Sequence, residues 1–187
     1  MKRVIMATLV AITLAVLSTP SAQSGWDPNK SETAAEENIQ EQEVQQAIAD
    51  FKSSDPSMKI FFEKAYGFAV FPSVGKGGAG IGGAYGEGKV YSKGVLNGTS
   101  SLMQFTLGLQ LGGQVFREII FFEDKTALDL FKYGNFEFGA QASAVAATSG
   151  VSANTDYSNG VAIFTIAKSG LMFEASVGGQ KFSFEPL

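Results

Sequence analysis

Gly67-Phe68-Ala69-Val70-Phe71-Pro72-Ser73-Val74-Gly75-Lys76-Gly77-Gly78-Ala79-Gly80-Ile81-Gly82-Gly83-Ala84-Tyr85-Gly86-Glu87-Gly88 is a run of strand-forming residues that passes into glycine without acquiring a helical stripe. Alternate residues of a strand face opposite ways. Gly78, Gly80, Gly82, Ala84, Gly86 and Gly88 therefore share one face. A face with nothing larger than a methyl lets a second backbone approach closely, or lets the sheet coil sharply. The device recurs: Ile81-Gly82-Gly83-Ala84, Leu111-Gly112-Gly113-Gln114 and Val177-Gly178-Gly179-Gln180 read as three strands bent at a glycine pair. The fold class that follows is α+β, a strongly coiled or partly closed antiparallel β-sheet with two N-terminal helices and one inserted short helix.

Downstream, short β-type runs with glycine punctuation continue to the C-terminus. The pattern predicts strands near 67–72, 78–86, 89–96, 102–111, 114–122, 136–147, 160–167 and 170–184, with turns at Glu87-Gly88 and Asn97-Gly98. The stretch 161–167, apolar but for Thr165, predicts a strand buried on both faces. Asp124 predicts a helix cap over 125–132, stopped by Gly134, and 149–159 is the one long polar loop. Upstream, Val44, Ala47, Ile48 and Phe51 recur at helical spacing. Asp55 and Pro56 then open a second short helix whose apolar side holds Met58, Phe61, Phe62 and Ala65, ended by Gly67.

The first residues read as an address rather than as structure. Lys2 and Arg3 precede an uncharged apolar run over 4–17, too short to span a bilayer, and Ala22-Gln23-Ser24 fits a small-x-small cleavage site. The expected organisation is a signal peptide over 1–24, an acidic polar lead-in over 25–40 and one domain over 41–187. The expected location is exported, periplasmic or secreted, and peripheral to a membrane. Residues 25–55 hold eight acids and two bases, whereas 56–187 holds ten of each, so the acidity belongs to the lead-in. That balance carries no nucleic-acid footprint.

Cysteine and histidine are both absent, which removes thiol nucleophiles, disulfides, thiolate or imidazole metal ligands and the side chain that titrates nearest neutrality. Catalytic residues, metal and cofactor are each assigned as none. Two overlapping Gly-x-Gly-x-x-Gly matches, at 75–80 and 78–83, lack the helix start that would meet a pyrophosphate. Ser73-Val74-Gly75-Lys76, Ser152-Ala153-Asn154 and Lys168-Ser169-Gly170 mimic the penicillin-recognising motifs, but the glycines around Lys76 forbid the helix those need. Asn154, Asp156 and Ser158 alternate as in a calcium loop without its closing acid.

Ala65-Tyr66-Gly67-Phe68-Ala69-Val70-Phe71-Pro72 followed by the glycine run resembles the opening of the SYLF domain. Phe105 to Gln114, Ile119 to Phe131 and Gly170 to Gly179 resemble that family's later blocks in the same order. The resemblance, over roughly 44–187, implies a non-catalytic lipid-binding module; eukaryotic members bind phosphoinositides and actin. The basic N-terminal helix associated with lipid contact is here acidic, since 32–50 holds six acids and no base. Tyr66 also stands where the family often has a basic residue. Lys59, Lys64 and Lys76 are the candidate headgroup contacts, and Phe61 and Phe62 the candidate inserting residues, with a core role as their competing reading. The partner expected is an anionic phospholipid of the membrane. An envelope protein bound by a structural or interaction domain is the alternative, nucleic acid is not expected, and actin enters by family resemblance alone.

Overall fold

The computed structural model describes residues 28–134, 137–138 and 145–187. In order the elements are α1 (Pro28–Ser54), a 3-10 turn (Pro56–Met58), α2 (Lys59–Lys64), β1 (Gly67–Ser92), β2 (Val95–Phe122), α3 (Lys125–Lys132), β3 (Glu137–Phe138), β4 (Val145–Ala146) and β5 (Val161–Pro186). β1, β2 and β5 form an antiparallel sheet with β2 in the middle; β3 and β4 each pair with β5. The β1–β2 ladder runs from Gly67 opposite Phe122 to Ser92 opposite Val95, and the β2–β5 ladder from Gly98 opposite Pro186 to Phe122 opposite Val161. The sheet is mixed with three helices and is not closed.

A strand of 26 residues such as β1 would reach about 85 Å if straight, at ~3.3 Å per residue. A domain of this size has a radius of gyration of roughly 15 Å, so the ribbon has to double back. It does so at the glycine-rich middle of each strand. The start of β1 comes to lie against its own end: Phe68 stacks on Tyr91 with ring centroids 5.2 Å apart, and Lys93 N–H donates to the Tyr66 carbonyl at 3.2 Å. A Cβ on Gly88 would overlap the Val70 carbonyl oxygen, and one on Gly86 would stand 2.8 Å from that of Ser73. Of the small face read from the sequence, Gly86 and Gly88 lie where one backbone crosses another, Gly82 meets the Gln110 and Thr106 side chains, and Gly80, at φ 75° in the irregularity between Ala79 and Ile81, faces open space.

Doubling back makes an inner and an outer layer. The inner layer encloses Ala69, Phe71, Val74, Val90, Leu102, Phe116, Ile120, Phe122, Ile163 and Phe182, closed by Leu128 and Phe131 of α3. The outer layer packs Val44, Ala47 and Phe51 of α1, with Met58 and Phe61, onto Val70, Ile119, Phe121, Ala162 and Phe164. Val161 through Phe164 are all buried, odd residues inward and even residues outward, as an apolar run with no alternation requires. Ion pairs fix α1 in place: Lys89 with Glu41 at 2.8 Å and Arg117 with Asp50 at 2.8 Å.

The structure corrects the segmentation. Eight predicted short strands are three long ones with two short additions, because glycine pairs bend a strand here without ending it. Glu87-Gly88 lies within β1 and Asn97-Gly98 within β2; the hairpin turns at Lys93 and Gly94, with φ of 50° and 78°. Gly98 is held in the ladder between Val90 and Pro186. α1 begins at Pro28, inside the lead-in, since alanine, glutamate and glutamine there are strong helix formers. Of the strand expected over 136–147, 137–138 and 145–146 are strand, and the remainder apart from Ala147 lies outside the described residues, as does the signal peptide expected over 1–24. α3 occupies the predicted 125–132, with Asp124 accepting from Ala127 N–H at 2.8 Å.

Candidate lipid-binding surface

On β2 the sequence Met103-Gln104-Phe105-Thr106-Leu107-Gly108-Leu109-Gln110-Leu111 alternates strictly, so one face is apolar and the other polar or glycine. In a soluble domain the apolar face is the one buried. Here it is the reverse. Met103, Phe105, Leu107, Leu109 and Leu111 are 60%, 60%, 54%, 71% and 69% exposed, whereas Thr106 and Gln110 are buried. Ile81 and Tyr85, on β1 in register with Leu107 and Met103, extend the exposed face and are half exposed or more.

The inward polar residues are satisfied locally. Gly108, with φ of 145°, bends β2 so that two side chains four residues apart meet: Thr106 Oγ1 donates to Gln110 Oε1 at 2.7 Å. Gln110 Nε2 in turn donates to the Gly80 and Thr106 carbonyls. This knot holds the bend, and the apolar side chains stand on its convex side. Scattered exposed apolar residues are ordinary, but a contiguous set on a rigid curved sheet marks an interaction surface. Two lysines flank it, Lys168 and Lys181, while Glu87 stands at its Tyr85 end. Lys181 is exposed and in register with Met103, and Lys168 is exposed beside the far end of the bend.

The residues singled out from the sequence are not brought together. Phe61 is buried against Phe121, Phe164 and Tyr157, and Phe62 is half-buried, edge-on to Phe121 and Phe68, so both serve the outer core. Lys59 pairs with Glu63 at 3.5 Å on the exposed side of α2, and Lys64 is exposed at its end. Lys76 sits on the other face of the sheet, in register with Gln114 and facing the inner layer. The exposed face of β2 was missed because alternation announces two unlike faces without saying which one water sees. The missing signal was the company it keeps: the complementary face is glycine, threonine and glutamine, too poor in carbon to be a core.

Among the described residues there is no set of three or more acids placed to hold a metal, and no helix long and apolar enough to cross a membrane. What the fold presents is a rigid, coiled α+β domain whose distinctive surface is a convex apolar sheet face: a binding domain. Residues 103–186, which include that face, match the family described as Ysc84, Las17-binding protein actin regulator. The chain carries a domain of this SYLF family, a family of lipid- and actin-binding domains. Beta cell expansion factor A of Aeromonas veronii is 32% identical over 146 residues, covering 73% of this chain and 52% of that protein. The chain thus spans about half the length of this curated relative.

Proposed function

We propose that this is an exported, non-catalytic domain that binds anionic phospholipid bilayers through the convex face carrying Ile81, Met103, Phe105, Leu107, Leu109 and Leu111. The observation that carries the reading is the inverted patterning of β2. Apolar side chains held outward by a hydrogen-bonded bend have no internal partner, and lipid is a medium that removes them from water. Lys168 and Lys181 beside them supply attraction for anionic headgroups, worth about 1 kcal/mol per lysine near such a surface. Membership of a family of lipid-binding domains supports the choice of ligand. Export rests on the basic, apolar and small-residue succession of 1–24.

The test is co-sedimentation with phosphatidylglycerol vesicles. Phe105→Ser with Leu109→Ser removes two exposed side chains and leaves both cores intact, so the fold survives. Each inserted side chain contributes roughly 1.5 to 3 kcal/mol, so the pair should weaken binding by about a hundredfold or more. Unchanged binding by this variant would remove the convex face as the site. No binding by the parent protein would shift the function to a protein partner on the same face.

A further inference from the structure

The inner layer contains a group for which the apolar core has no use. Glu118 lies on β2 between Arg117 and Ile119, in register with Phe71 and Thr165, and is fully buried. Gln180 Nε2 donates to its Oε2 at 2.9 Å, while its Oε1, also buried, has no hydrogen-bond partner. An acceptor left in that state costs about 1 to 3 kcal/mol, and it calls for an explanation in a ligand or a role.

Glu118 borders a cavity of about 380 Å³ between the two halves of the doubled ribbon. Gln104 and Gln180 reach it from beyond the bend; Gln114, Phe116 and Thr165 reach it from before. Gln104 and Gln114 bring side-chain amides to its wall. A single water accounts for only about 30 Å³, so the space far exceeds what one acceptor needs, and it lies in the range of small-molecule sites.

Its chemistry narrows the occupant. An anion would meet Glu118, and a cation would meet Lys76 at the margin, so a neutral molecule fits. Each amide offers donors and an acceptor together, and a hydroxyl group matches both. The Phe116 ring gives an apolar wall on which the carbon-bound hydrogens of a sugar ring can rest. We propose that this cavity binds a small uncharged polyhydroxylated molecule of monosaccharide size, free or as a lipid headgroup, with Glu118 Oε1 and the amides of Gln104 and Gln114 as its hydrogen-bond partners.

Saturation-transfer NMR on the full chain with glucose, galactose and mannose tests the free form. Flotation with uncharged phosphatidylcholine vesicles, with and without a monoglycosyl diacylglycerol, tests the headgroup form. Glu118→Gln preserves shape, and Gln114→Leu alters a partly buried position outside both core clusters, so at least one variant stays folded. The expected result is binding of at least one sugar or sugar-headed vesicle, weakened about tenfold or more by Gln114→Leu, as the loss of one hydrogen-bonding partner predicts, and altered by Glu118→Gln, which exchanges a carboxylate acceptor for an amide. Free sugar binding and vesicle capture separate the two sources, and either supports the site. Failure of every probe, or binding indifferent to both variants, overturns it and leaves the cavity to water. Because the vesicles carry no net charge, this outcome is read separately from the anionic-bilayer experiment.

Discussion

Two buried carboxylates in this protein respond to burial in opposite directions, and their partners decide which way. Asp55 has no exposed surface; burial alone would raise its pKa. The hydroxyl and N–H of Ser57, together with the Gly150 and Ser152 N–H groups, outweigh that and hold it well below the usual carboxylate range. The charge thereby ties the start of the second helix to the 149–154 loop. A depressed folded pKa contributes stability that is complete above the unfolded value near 4 and is lost as pH falls through the folded value. Asp55→Ala strands the two loop N–H groups and should cost about 2 to 4 kcal/mol at neutral pH, read as a shift in the urea midpoint, and the cost should shrink in acid. Glu118 has one amide donor and an unpartnered oxygen, and burial pushes it up to about 7 against the pull of Gln180 and Lys76. A raised acid binds its proton more tightly folded than unfolded, so stability falls as pH rises from about 4.5 to about 7. Glu118→Gln should abolish that slope and leave the protein roughly 3 kcal/mol more stable than the parent at pH 8. Parallel stability curves for parent and variant across this window would contradict it.

At the scale of elements, the glycines of β1 have two different jobs that substitution separates. Gly88 faces the backbone of Val70, which cannot move without opening the crossing, so Gly88→Val should cost about 3 kcal/mol or more. Gly82 faces the side-chain ends of Gln110 and Thr106, which can give way, so Gly82→Val should cost less despite the same change in volume. Equal melting temperatures for the two variants would mean that β1 is not pinned where it crosses itself. The close-packed face was legible from Gly82 to Gly88, where small residues alternate, but not its end: the irregularity between Ala79 and Ile81 turns Gly80 out to open space. The helix caps at Asp55 and Asp124 were legible for a similar reason: each is a short acceptor immediately before a helical stripe, and both accept the N–H expected. The hairpin turn was not. Asn97-Gly98 is the stronger turn signal locally, but placing the turn there would slip β1 against β2 and send Leu102 and Phe116 to the wrong face, so tertiary burial fixed the register at Lys93-Gly94 instead. The convex apolar face was half legible. Its alternation stands in the sequence, but its outward orientation depends on the doubled ribbon, which brings the polar side of β2 over the inner cavity.

For the molecule as a whole, the charge distribution makes a prediction that the apolar face alone does not. Residues 25–55 carry a net charge of −6, eight acids against two bases, while 56–187 is neutral with ten of each. α1 carries part of that acidity across the outer layer, where Glu41 and Asp50 are spent on Lys89 and Arg117 and so do not repel a distant surface as free charges would. The acids ahead of Glu41 add to the negative charge of the segment, and an anionic bilayer would repel them. Removing 25–40 keeps both ion pairs and the residues that α1 contributes to the outer core, so the domain should fold with its convex face intact. Binding to phosphatidylglycerol vesicles should then be unchanged or stronger, and the gain should be largest at low ionic strength, where the Debye length is ~30 Å, and fade near 0.1 M salt, where it is ~10 Å. Lys168→Ala with Lys181→Ala should act oppositely, weakening binding by about 2 kcal/mol at low salt and by less as salt rises. Phe105→Ser with Leu109→Ser should weaken binding at every salt concentration, since burial of apolar surface is not screened. Three variants with three salt dependences separate lead-in repulsion, headgroup attraction and apolar insertion; a truncated protein that binds less at low salt would place the lipid contact in the acidic segment and displace it from the sheet.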